Sequence, residues 1–74
     1  MQFHVRVEFL PNKNDIPTIG TYTKGNPLIQ MSFKHPLSVG HIIFAPNNTL
    51  PPHYRVVMIL HSTYGDTLIK AVPV

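Results

Sequence analysis

The sequence predicts an all-β fold: a small antiparallel barrel of five or six strands, SH3-like or OB-like, ending in a long β-hairpin. Three observations predict it. Apolar and polar residues alternate in several short runs, the period-2 pattern of half-buried strands. Proline or glycine separates these runs at short intervals, as in small barrels and sandwiches. No stretch carries the 3.6-residue apolar spacing of a helix of useful length.

Residues 2–9 alternate most cleanly: Phe3, Val5, Val7 and Phe9 fall on one face, Gln2, His4, Arg6 and Glu8 on the other. Pro11 ends this strand, and residues 11–15 are a loop by composition. Residues 16–22 space Ile16, Ile19 and Tyr22 by three, but Pro17, Gly20 and the threonines oppose a helix, so a short irregular strand is expected. Lys24-Gly25-Asn26-Pro27 is a turn, since glycine and asparagine tolerate positive φ.

Residues 28–34 form the next strand, with Ile29, Met31 and Phe33 inward and Gln30, Ser32 and Lys34 outward. His35-Pro36 stops it, Leu37-Ser38-Val39-Gly40 reverses the chain, and residues 41–45 give a short apolar strand. Residues 46–52 read as a surface loop stiffened by two adjacent prolines.

The hairpin comprises residues 53–64, a Gly65-Asp66 turn and residues 67–74. Glycine at the first central position is what a two-residue type II′ turn requires. That register pairs Tyr64 with Thr67, His61 with Lys70, Ile59 with Val72 and Val57 with Val74. One face then carries Tyr54, Val56, Met58, Leu60, Ile69 and Ala71. The other carries Arg55, Val57, Ile59, His61, Leu68, Lys70 and Val72, apolar at its centre where a wet face should be polar.

The 74 residues read as one domain, spanning 1–74. So short a chain hides only about 60% of the surface its unfolded form exposes. It has no cysteine, so no disulfide or thiolate-bound metal can staple it, and oligomerisation becomes an attractive source of stability. Charged residues are only 12% of the chain against 43% hydrophobic, which argues against disorder. No apolar run nears the roughly 18 residues of a membrane span. The alternating N-terminus lacks the apolar core of a signal peptide, so a cytoplasmic protein with no membrane partner is expected.

Catalysis has no constellation to stand on. Ser32, Ser38 and Ser62, five histidines and three acids are present, but no spacing links a nucleophile to a base. His61 and Ser62 are neighbours on a strand and point to opposite faces. Glycine-rich phosphate loops and paired carboxylates are absent. The histidines (His4, His35, His41, His53, His61) show neither His-x-His nor His-x3-His spacing, so local geometry sets no metal site. Neither an enzyme, a metal nor a cofactor is expected. Pro51-Pro52-His53-Tyr54 spells the PPxY pattern that WW domains bind, but Tyr54 leads straight into an apolar strand and is better read as packing there.

Two binding readings follow. A net charge of +3 suits nucleic acid, with Arg6, Lys24, Lys34, Arg55 and Lys70 as cations and Tyr54 and Tyr64, together with Tyr22, as stacking platforms. The reading favoured here is a non-enzymatic binding or adaptor protein, self-associating as a homo-oligomer. Its interface would be the second hairpin face: Val57, Ile59, Leu68 and Val72 as an apolar centre, with Arg55, His61 and Lys70 as a polar rim. A product of this length also has the size of an accessory or inhibitor protein of a phage or mobile element.

Overall fold

The computed structural model describes residues 2–17, 19, 22–45, 52–63 and 65–74. Among the described residues five strands make one sheet: β1 (Phe3–Phe9), β2 (Leu28–Phe33), β3 (Ile42–Phe44), β4 (His53–His61) and β5 (Thr67–Pro73). No helix occurs among the described residues. The strand order is β2-β1-β5-β4-β3, and the sheet curls strongly into a half-barrel.

Every pairing is antiparallel except β1 with β5, which is parallel. Strict alternation of direction along a five-stranded chain forces this, because the first and fifth strands then run the same way. The fully antiparallel barrel expected from sequence is corrected at that one seam. On the described residues β2 and β3 do not pair, so the ring is left open between them. Residues 34–41 cross this opening and set Leu37 against the core. Val39 and Gly40 form the expected reversal, closed by a hydrogen bond from His41 N to Ser38 O at 3.1 Å.

The concave face is the core. Val5, Val7 and Phe9 of β1 meet Ile69 and Ala71 of β5, Tyr54 and Val56 of β4, and Ile43 of β3. Phe9 and Tyr54 pack edge to face, with ring centres 4.8 Å apart at 72°, the arrangement the ring quadrupoles favour.

The register of β4 and β5 differs from the sequence expectation. His61 pairs with Thr67, not Lys70; Ile59 pairs with Ile69, not Val72; and Arg55 is the partner of Val72. The connection is longer than a two-residue turn: Ser62 N donates to Asp66 O at 2.8 Å, and Gly65 N to Ser62 O at 3.2 Å. The expected Tyr64 pairing falls on a residue outside the described set, and Thr67 is already taken by His61. The register then shifts between Val56 and Met58, leaving Val57 as a bulge. A bulge puts two successive residues opposite one and reverses the alternation beyond it. Val56 and Ile59 therefore share the concave face, while Met58 and Leu60 turn outward.

Of residues 16–22, the described ones (Ile16, Pro17, Ile19 and Tyr22) lie outside any strand, so the irregular strand expected there is not formed by them. Apart from Pro52, the expected 46–52 loop lies outside the described residues.

Candidate functional site

The convex face of the sheet is where sequence patterning placed an interface, and its two halves have different fates. Over β1 and β5 it is closed. Glu8, Lys70 and Val72 are exposed by 1% or less, and Leu10 is buried beside them. In parallel register Glu8 faces Lys70, and Lys70 Nζ lies 3.4 Å from Glu8 Oε1. The other carboxylate oxygen, Oε2, accepts from Asn26 Nδ2 at 2.7 Å and from Thr23 N at 3.3 Å. The connection from β1 to β2 is thus tied down onto the convex face. Tyr22 extends it, donating its hydroxyl to Asn26 O and lining a depression with Leu28, Leu60 and Leu68.

Over β3 and β4 the same face is open. Ile42 is 51% exposed and Phe44 69%. Ile42 pairs with Arg55 and Phe44 with His53. The Phe44 and His53 rings are 4.8 Å apart, tilted by 50°. Backbone polarity follows from the ladder. Val56 N donates to His41 O at 2.9 Å and Ala45 N to Pro52 O at 2.8 Å. Hydrogen-bonding pairs alternate along antiparallel strands, so Ile42 and Phe44 turn both their N–H and C=O groups away from β4. No strand covers that edge among the described residues.

The seven residues expected to form one interface are accordingly divided. Arg55 and Val57 are half-buried beside the open patch. Leu68, also half-buried, belongs to the depression under Tyr22. Lys70 and Val72, expected on an open surface, are buried. Ile59 and His61 face the other way, into the concavity, because the Val57 bulge reverses them.

The nucleic-acid set does not gather either. Tyr54 is buried in the core at 5% exposure and cannot stack on a base. Lys70 is enclosed with Glu8. Arg6 lies 3.6 Å from Asp66, Lys24 and Lys34 are exposed on separate segments, and Tyr64 lies outside the described residues. No three potential metal-ligating side chains gather among the described residues. No helix there is long and apolar enough to cross a membrane.

Sequence reasoning missed three things: the covered half of the convex face, the exposed apolar edge at β3, and the use of Glu8. Tyr22, in a stretch expected as a short irregular strand, was the available signal that the β1–β2 connection packs on the sheet, whereas Ile16 and Ile19 stay exposed by 89% and 84%. For β3, the signal was an apolar run with no charge or proline within 41–45. No protein-family model, curated protein or solved structure matches this chain.

Proposed function

We propose that this protein is a non-enzymatic binding module that acts through protein–protein contacts and self-associates through strand β3. The observation that carries the reading is the edge at Ile42 and Phe44, which no strand covers among the described residues and which offers backbone donors and acceptors beside two exposed apolar side chains. Edge strands in soluble proteins are usually blunted by shortness, charge, proline or a covering segment, and of these β3, three residues long, has only its shortness within the strand. Here β3 lacks charge and proline, whereas the opposite edge turns the polar side chains Gln30 and Ser32 outward.

The occupant is a second copy. Two β3 strands running antiparallel about a two-fold axis place Ile42 and Phe44 of each copy beside those of the other. Covering about 250 Å² of apolar surface per copy contributes roughly 6 kcal/mol for each, before association costs of about 4–15 kcal/mol. The balance is a weak, concentration-dependent dimer, with Arg55 and Val57 at its margin. The sheet is read as a small barrel of the SH3-like or OB-like kind whose one open seam leaves this edge free. An adaptor or inhibitor role, of the sort small accessory proteins perform, is consistent with a surface that recruits by strand pairing.

Sedimentation velocity across a range of concentrations tests it. The wild type should show a rising weight-average coefficient, and Ile42→Lys should remain at the monomer value. A wild type that stays monomeric at the highest attainable concentration overturns the proposal.

A further inference from the structure

The opening between β2 and β3 leads into the concave side of the sheet, and there the core is unfinished. A cavity of about 290 Å³ lies against Phe3, Val5, Phe33, Leu37, Ile59 and Ile69. Pro36 and three polar side chains, His35, His61 and Thr67, complete its lining. His61 and Thr67 pair across β4 and β5, and His61 Nδ1 is 3.3 Å from Thr67 Oγ1. That contact leaves the Nε2 side of the His61 ring available. No aspartate or glutamate is part of the lining.

We propose that this cavity binds a small organic acid with an aromatic or branched aliphatic body and a carboxylate at one end. Size sets the body. A dry apolar cavity of about 150 Å³ takes a benzene ring, so about twice that volume takes a ring with a short chain. Chemistry sets the end group. Imidazole and hydroxyl donors stand beside an otherwise apolar wall, with no acid to repel an anion, in a chain of net charge +3. Binding sites for small molecules have this composition: apolar walls that supply affinity and a few polar groups that fix orientation.

The site is separate from the β3 edge. Its residues come from β1, β2, β4, β5 and the 34–41 crossing, and they face the concavity instead of the convex surface. It could not be read from sequence, because only the Val57 bulge brings Ile59 and His61 to this side.

The test is an NMR titration of the methyl-labelled full chain with 3-phenylpropionate. The proposal expects saturable shifts centred on Val5, Ile59 and Ile69, with a Kd on the order of 1 mM for so small a ligand. The neutral analogue 3-phenylpropanol should bind several-fold more weakly, and acetate should shift none of these methyls. Ile59→Phe fills the cavity and should abolish the shifts in a protein whose amide spectrum stays dispersed. Leu37→Phe narrows it from the crossing segment and serves if Ile59→Phe does not fold. The double change His35→Gln, His61→Gln should erase the preference for the acid over the alcohol. Absence of saturable shifts to about 20 mM, shifts that survive filling, or equal binding of acid and alcohol by the wild type would each overturn the proposal.

Discussion

Lys70 Nζ lies 3.4 Å from Glu8 Oε1, and neither side chain retains any exposure to solvent. The pair joins the first and last strands across their parallel seam and anchors the β1–β2 connection through Thr23 and Asn26. Removing one member strands a buried charge, which typically costs about 3–5 kcal/mol. For a chain of this size that is most of the stability available. Glu8→Leu or Lys70→Met alone should therefore largely unfold the protein in urea titrations. The double variant should recover part of the loss, because an apolar pair of similar volume removes both desolvation penalties, while Thr23 N and Asn26 Nδ2 still lose their acceptor. By contrast Arg6 and Asp66, 3.6 Å apart with side chains 58% and 69% exposed, form a pair worth less than about 1 kcal/mol. Asp66→Asn should barely move the midpoint, and equal costs for the two pairs would contradict this account.

The bulge at Val57 makes a prediction about adjacent residues of one type. Val56 is fully buried and Val57 only half-buried. Val56→Ala should cost roughly 2 kcal/mol, since it removes buried methyls and leaves a void. Val57→Ala should cost well under 1 kcal/mol. Chemical denaturation of both settles the parity of the strand, and similar losses would place the irregularity elsewhere.

That bulge also marks where the fold stops being legible in the sequence. The concave half of β1 could be read directly, since Val5, Val7 and Phe9 alternate without interruption and all reach the core. The concave residues of β4 up to Val56 follow for the same reason. Beyond it a one-residue irregularity inverts the faces, and Gly65-Asp66 looks like a tight turn although the ladder already ends at His61. No local signal distinguishes a two-residue turn from the tail of a longer loop when both carry glycine before aspartate. Glu8 was illegible for a different reason: its place in the polar phase of β1 is real, and only a distant segment, residues 22–26, makes that phase an interior.

Gly40 has φ of 99°, a left-handed conformation costing L-residues roughly 1–2 kcal/mol. A Cβ added there would meet nothing within 4 Å, so the cost of Gly40→Ala is backbone strain alone. Gly40 N also donates to Val56 O at 2.8 Å, which ties the end of the 34–41 crossing to β4. Gly40→Ala should lower stability by about 1 kcal/mol or somewhat more, measured by thermal or urea unfolding. Val39→Ala next to it, 65% exposed, should stay within about 0.5 kcal/mol. Equal effects would mean that the turn relaxes at no cost.

Amide hydrogen exchange resolves the self-association of β3 residue by residue. In the monomer the N–H groups of Ile42 and Phe44 point away from β4, with no partner strand among the described residues, while that of Ile43 points to β4, so protection should alternate along the strand. Pairing with a second copy covers only the outward groups. Raising the protein concentration should therefore slow exchange at Ile42 and Phe44 and leave Ile43 nearly unchanged. The corresponding outward amides of the other free edge, Leu28, Gln30 and Ser32, provide the internal control. Their place follows from the bond of Phe9 N to Pro27 O at 3.0 Å, which puts Ile29, Met31 and Phe33 in the bonded phase. Protection that rises at Gln30 and Ser32 instead would move the interface to β2. A uniform rise at every amide would point to global stabilisation by association elsewhere, and β3 would lose its role. Phe44→Lys should remove the concentration dependence at Ile42 while preserving protection at Ile43, because Phe44 contributes exposed surface and no core contact in the monomer.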